Sequence, residues 1–543
     1  MQGLMQDVPL TLDRIFGRAE TLFADKRLST ATPSGVERTT YGAWAERTRK
    51  LGGVLDELGI AADGRVATFA WNTARHLELY FAAPCTGRVL HTLNIRLFAE
   101  QLVYIVNHAE DEVIFADRSL LPLLWPLIDE CPTVRQVVVM DDTGGRSDAP
   151  DIPDDPRLSD YETIMSLGSP HPFGVVTDEY RAASMCYTSG TTGDPKGVVY
   201  SHRSVLLHSM AAALSDVLGI READVILPVV PMFHANAWGL CQAAVMAGAE
   251  VVFPGADLSP QAISRLILEE RVTVAAGVPT IWMGARPLLA GKEHQLRSII
   301  CGGSAVPKAL SEAYREEIGL PILQAWGMTE TSPIATVCGV RSERAATSTE
   351  DELADLRARQ GLPTPLVELR IAEPETGETL PWDDESSGEV QVRGPWIAAS
   401  YYNDERGAAS FTEDGWLRTG DVAVVSPDGY VRLVDRTKDL IKSGGEWISS
   451  VELENHLMAH PAIAEAAVIG IPSERWMERP MACVVVKPEA SLTTEEVVEW
   501  LEPRVAKWWL PETVEFIDEV PKTSVGKFSK KDLRDKFADR RVP

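Results

Sequence analysis

From residue 10 to residue 301 the chain alternates between segments whose apolar side chains recur at helical spacing and short runs of strand-forming residues. Residues 10–23 and 41–58 have the helical period. Arg65–Phe69 then switches to a short strand-like run, and residues 137–140, residues 225–230, Glu250–Phe253 and Ser298–Cys301 repeat that signal, with helical stretches such as 260–270 between them. Strands that alternate with helices in this way predict a large α/β body.

At 543 residues the chain is too long for one typical core, so two or more domains are expected. Residues 350–360 are charged and helical in propensity, and the Gly-Leu-Pro-Thr-Pro run at 361–365 punctuates a change of organisation. Beyond it the sequence turns strand-rich, with Gly388–Arg393 and a hairpin over 424–434. Ser449 and Glu452 offer a capping box for a helix through Leu457, and 466–471 is read as a strand. The boundary is placed near Asp435, giving 1–434 as an N-terminal body and 435–543 as a small C-terminal domain.

A formal charge of −27, from 52 basic and 79 acidic side chains, argues against nucleic acid or an anionic membrane as a partner. Seven scattered cysteines without a Cys-x-x-Cys pair suit a reducing compartment and argue against zinc. No basic-then-apolar leader opens the chain, and no apolar run reaches membrane-spanning length, so a soluble, cytoplasmic protein without integral membrane association is expected.

Residues 187–197 read Tyr-Thr-Ser-Gly-Thr-Thr-Gly-Asp-Pro-Lys-Gly. Gly190, Gly193 and Gly197 let backbone N–H groups approach phosphate oxygens; Thr188, Ser189, Thr191 and Thr192 add hydroxyl donors; Lys196 adds a mobile positive charge. The spacing is not that of Walker A, since no Gly-Lys-Ser/Thr closes the loop. A polar surface loop could have the same composition. Residues 324–333 then join an aromatic plate, a glycine, hydroxyls and one carboxylate: Gln324, Ala325, Trp326, Gly327, Met328, Thr329, Glu330, Thr331, Ser332 and Pro333.

Together with 416–421 (Trp-Leu-Arg-Thr-Gly-Asp), Asp435-Arg436, 442–446 (Lys-Ser-Gly-Gly-Glu) and 521–527 (Pro-Lys-Thr-Ser-Val-Gly-Lys), these segments resemble the adenylate-forming superfamily of acyl-CoA synthetases over nearly the whole chain. Residues 233–238 and 444–449 are most similar to its medium- and long-chain fatty acyl-CoA synthetases, including bacterial homodimers. The resemblance implies a large multi-subdomain α/β N-terminal body with a β-rich portion and a small mobile α+β C-terminal domain. It also implies two steps: a carboxylate attacks the α-phosphorus of ATP to give acyl-adenylate and pyrophosphate, then the CoA thiol displaces AMP. ATP, Mg2+ and CoA are the implied cofactor and co-substrates, and a homodimer the implied assembly.

By the same resemblance, Lys527 is the lysine that stabilises charge at the α-phosphate, Glu330 and Thr188 serve the magnesium, and Thr329 the α-phosphate. Trp326 replaces the usual tyrosine or phenylalanine against adenine, next to Gly302, Gly303 and Ser304. Asp421 and Arg436 serve the ribose, and Asp435 is the hinge, with a charge that favours exposure. Lys442, Gly444, Gly445, Glu446 and Trp447 line the CoA channel. Phe233, His234, Trp238 and Gly303 border the acyl pocket, with His234 also counted among the catalytic residues and Trp238 as a gate. Other readings stay open for several of them: core packing for Trp238 and Trp326, a tight turn for Gly302 and Gly303, a turn cap for Asp421 and Asp435, a surface ion pair for Arg436. Asp194 is a departure, since a negative charge in the phosphate loop would weaken ATP binding unless turned outward. A specialised ring-bearing acid, an amine or carrier-protein acceptor, and a non-catalytic binding protein are the alternatives.

Overall fold

The computed structural model describes residues 1, 3–188, 194–443, 446–522 and 528–542. Ser189, Gly190, Thr191, Thr192, Gly193, Gly444, Gly445, Lys527 and the side chain of Glu446 therefore lie outside the described residues. By its internal contacts the chain divides into two units: residues 1–368 with 393–417, and residues 369–392 with 418–543. No helix among the described residues is long and apolar enough to cross a membrane.

The first unit holds two large sheets. The seven-stranded one runs, from edge to edge, through Leu158–Asp160, Gln136–Met140, Asp111–Asp117, Arg65–Phe69, Val89–Thr92, Ala182–Tyr187 and Gly197–Ser201. Its strands are parallel except the last, which turns back on Ala182–Tyr187. In the nine-stranded sheet, Leu323–Gly327, Ser298–Cys301, Val274–Gly277, Val225–Pro228, Glu250–Phe253 and Arg27–Thr32 are neighbours and parallel. Parallel strands buried on both faces need no polar alternation, which is why runs such as Gln136–Met140, Val225–Pro228 and Val274–Gly277 are almost wholly apolar.

Helices Tyr41–Glu57 and Ala74–Cys85 start where the sequence supplies a cap: the Thr40 hydroxyl accepts from Ala43 N at 3.3 Å and the Thr73 hydroxyl from His76 N at 3.1 Å. Their inward faces join one apolar core that includes Trp44, Phe81, Val113 and Val251, and so reaches both sheets. The strand expected over 225–230 ends at Pro228, because Val229 N and Val230 N both donate to Ala276 O and the chain leaves the sheet. Helix Leu12–Leu22 is shorter than expected, since Thr11 is already extended at φ −115° and ψ 152°.

The second unit has a four-stranded sheet, Glu368–Ala372, Gly388–Arg393, Leu417–Val425 and Val431–Arg436, and a five-stranded one built on the long hairpin Ile463–Ser473/Met477–Val486. Ser449 caps helix Ser450–Met458 by accepting from Glu452 N at 3.1 Å. The strand expected over 466–471 extends to Ile463–Ser473, continuing past a register irregularity between Ile463 and Glu465. Contacts thus group the β-rich portion with the C-terminal residues rather than dividing at 435. A hinge is a boundary of motion, which contact grouping in one conformation does not define.

Candidate active site

Because the central strands of the nine-stranded sheet are parallel, the loops that follow them emerge at one edge, where open α/β sheets bind ligands. Residues 229–239, 302–304 and 328–333 follow Val225–Pro228, Ser298–Cys301 and Leu323–Gly327. Gly302 is closely hemmed in: a Cβ there would lie 2.6 Å from Ala325 O and 3.3 Å from the Trp238 ring, while Gly303 has φ +80° and its Cβ would meet Trp238 at 3.8 Å. The structure thus brings Trp238, Gly302, Gly303 and Ala325 together. Phe233 is buried with Phe69, Leu93 and Ile114 in the core of the seven-stranded sheet. His234, half-buried, opens the turn that follows.

That turn is left-handed. Ala235, Asn236, Ala237 and Trp238 have φ of 42, 52, 52 and 58°. For residues with a Cβ this conformation costs about 1–2 kcal/mol each, so neighbours must hold it. The Asn236 amide donates to Ser184 Oγ at 2.8 Å, Cys186 Sγ donates to Asn236 Oδ1 at 3.3 Å, and Met232 N donates to Asn72 Oδ1 at 2.7 Å. Ser184 and Cys186 lie on the strand that runs into the phosphate loop. Asn236 was not singled out from sequence; an asparagine among apolar residues was the available signal.

Thr188 N donates to Lys196 O at 2.9 Å and Lys196 N to Thr188 Oγ1 at 3.1 Å, which ties these two residues together. Asp194 is turned outward: Arg406 donates to its carboxylate at 2.9 Å, and both side chains are more than half exposed. Arg406 also binds Asp404 and holds that carboxyl below its usual range. Lys196 Nζ sits 4.6 Å from the centre of the Tyr401 ring.

Thr329–Thr331 forms a single 3-10 turn with Glu330 buried in it. Tyr200 donates to Thr329 O at 2.7 Å, Ala398 N to Glu330 O at 2.8 Å, and the Tyr401 hydroxyl to Glu330 Oε1 at 2.6 Å. Burial, then the Glu330 carboxylate, raises the Tyr401 pKa, so the phenol stays protonated and donating. Trp326 is nearly buried opposite Thr336, and the Gln324 side-chain oxygen is buried without a partner among the described residues. Neither Tyr200 nor Tyr401 was reached from sequence.

The other expected residues belong to the second unit. Asp421 and Arg436 face each other across adjacent strands and form an ion pair at 3.0 Å. Lys442 and Trp447 pair across the antiparallel strands Ile441–Ser443 and Glu446–Ile448, with the ammonium 4.6 Å from the ring centre and the indole exposed. Asp435 corrects an expectation: it is buried, not exposed. Its carboxylate accepts from Ser450 N at 2.7 Å and from the Ser450 hydroxyl, which satisfies the start of helix Ser450–Met458.

Glu330 offers one buried carboxylate, a hard oxygen donor set too small to cage a metal, and no cluster of three His, Cys, Asp or Glu that could hold an ion occurs among the described residues. Such a set fits magnesium that keeps most of its ligands as phosphate and water oxygens.

Residues 20–402 match the family model described as AMP-binding enzyme, and residues 452–527 its C-terminal domain. The chain is 46% identical over 538 residues to a long-chain-fatty-acid–CoA ligase of Thermus thermophilus, covering 98% of this chain and 96% of that one. It is 43% identical to a 3-methylmercaptopropionyl-CoA ligase of Ruegeria lacuscaerulensis, covering 99% of each. Among solved structures, an anthranilate CoA ligase in complex with anthranoyl-AMP superposes with a TM-score of 0.85 at 26% identity, covering 98% of this chain and all of that one. The chain belongs to the adenylate-forming acyl-CoA synthetase superfamily and is an AMP-forming acid–CoA ligase.

Proposed function

We propose that the acid is a medium- to long-chain fatty acid. The observation that carries this reading is the indole of Trp238 against Gly302 and Gly303 on a left-handed turn, an apolar plate where the acyl group would enter. Similarity to the Thermus ligase supports the same class. Similarity to a 3-methylmercaptopropionyl-CoA ligase favours a second reading, a short thioether acid, which a shallower pocket would select.

In this reading the substrate carboxylate oxygen attacks the α-phosphorus and pyrophosphate leaves; the CoA sulfur then attacks the acyl carbon and AMP leaves. Two anions must meet in the first step, so positive charge and alignment decide its rate. Lys527 supplies charge at the α-phosphate, Thr329 donates to it, and Lys196 with residues 188–193 holds the β and γ phosphates. Glu330 and Thr188 hold magnesium, which when bound neutralises phosphate charge. Trp326 stacks on adenine beside Gly302, Gly303, Ser304 and residues 324–328, and Asp421 with Arg436 binds the ribose. For the second step the C-terminal portion turns about Asp435, and residues 442–447 line the pantetheine path. The N-terminal segment, with Leu4, Met5 and Val8 exposed, is assigned to a homodimer interface that light scattering tests.

The test is product analysis with ATP, magnesium, CoA and graded straight-chain, thioether and ring-bearing acids. An acyl-CoA optimum among medium or long chains is expected. An optimum at short thioether acids would replace the fatty acid reading, and adenylate without thioester would point to another acceptor.

A further inference from the structure

The loop from Trp396 to Tyr402 contains no motif that sequence singled out, yet it is bonded to both halves of the phosphate site. Ser332 Oγ donates to Trp396 O at 2.7 Å, Ala398 N to Glu330 O at 2.8 Å, and Tyr402 N to Gly197 O at 2.9 Å. Between these anchors, Tyr401 presents its hydroxyl to Glu330 at 2.6 Å and its ring face to Lys196 at 4.6 Å. Its ring also packs against Phe411 at 5.5 Å. One side chain therefore touches the buried carboxylate and the phosphate-loop lysine together.

A buried carboxylate that must face a metal needs one rotamer, and the backbone of a three-residue turn does not fix a glutamate's three side-chain torsions. A charge-assisted hydrogen bond to one oxygen does. We propose that Tyr401 is a positioning residue for Glu330, holding its carboxylate in the orientation that takes the magnesium arriving with ATP. This rests on the reading of Glu330 as the metal-holding residue. Removing the hydroxyl removes that restraint on the carboxylate, so the cost falls on metal affinity within the ATP complex and not on transfer to CoA.

Tyr401→Phe keeps the ring contacts with Lys196 and Phe411 and loses only the donor. Manganese, as a spectroscopic stand-in for magnesium, is titrated by electron paramagnetic resonance into enzyme saturated with ATP in the absence of any acid. The expected result is affinity weakened about tenfold, the loss of one hydrogen bond to a charged group. ATP–pyrophosphate exchange should show the same rise in its magnesium requirement, with exchange recovering at high magnesium and transfer from supplied acyl-adenylate to CoA unchanged. Tyr402→Phe, whose hydroxyl pairs with Arg65 instead, is the matched control and keeps the wild-type requirement. Glu330→Gln tests the underlying reading: unchanged manganese affinity there removes Glu330 as the metal residue. Weakened binding in Glu330→Gln with wild-type binding in Tyr401→Phe overturns the positioning role alone. A Tyr401→Phe protein that fails to fold, or loses both half-reactions equally, also overturns it, since the hydroxyl would then serve the fold.

Discussion

Arg406 donates to Asp194 at 2.9 Å, which turns the one acidic side chain of the phosphate loop toward a cation on the neighbouring 404–406 segment. With the pair more than half exposed, solvent and salt screen it, and its contribution is at the small level of other surface pairs. Arg406→Ala frees the carboxylate beside the phosphates and is expected to raise the KM for ATP by a few-fold, about as much as so small a contribution allows. Asp194→Asn in the same protein should restore it. A double variant no better than Arg406→Ala alone would show that Asp194 does not oppose ATP.

Trp238 is next. Its indole stands beside Gly302 and Gly303, so Trp238→Ala opens space where the acyl chain would pass. Each further methylene that finds apolar cover is worth about 0.8 kcal/mol, roughly fourfold in kcat/KM. The length optimum is therefore expected to move to longer acids. Lower stability with an unchanged length profile would make the indole a core side chain.

Lys527 lies outside the described residues, and its role is read from both half-reactions. Lys527→Ala should depress acyl-adenylate formation far more than transfer from a supplied adenylate, because the proposed charge acts on phosphoryl chemistry. Equal losses would count against it.

Buried parallel strands such as Arg65–Phe69 and Ser298–Cys301 were legible because a short run of apolar residues between polar bounds has few other uses. The phosphate loop and the 324–333 segment were legible because their chemistry is contiguous in sequence. Tyr401 was not, since it acts on a glutamate 71 residues away and nothing near it in sequence marks the pairing. Asp435 was misjudged for the same reason. Its isolated charge argued for exposure, but Ser450, 15 residues later, supplies the donors that make burial tolerable.

The same carboxylate belongs to a buried network. Lys530 Nζ lies 2.8 Å from Glu454 and 2.6 Å from Ser450 Oγ, whose hydroxyl reaches Asp435. Burial works to lower the Lys530 pKa, but the Glu454 and Asp435 carboxylates outweigh it and the net shift is upward. Lys530→Met would strand Glu454 without its cation and should destabilise the second unit by about 3–5 kcal/mol. Adding Glu454→Gln should recover part of that loss, because the stranded charge is gone. Denaturant unfolding of the full chain followed by hydrogen exchange in helix Ser450–Met458 checks both; a loss under ~1 kcal/mol, the range of surface pairs, would mean the network is not coupled.

Three buried histidines of the first unit give its stability a pH dependence. Burial lowers the pKa of His76, His202 and His208 from 6.5 to about 4. His208 shows why protonation is costly: its Nε2 accepts from Ile334 N at 3.3 Å, a bond the protonated ring cannot accept. Between 6.5 and 4 the unfolded chain takes up protons that the folded one refuses, so stability falls as pH drops through that window and levels off below it. Each histidine should account for roughly 1 kcal/mol between pH 7 and 5.5. His208→Gln, which keeps an acceptor and cannot titrate, should flatten the fall by about that amount when melting is followed across the range. A slope left unchanged in His208→Gln would assign its share of the acid lability to other groups.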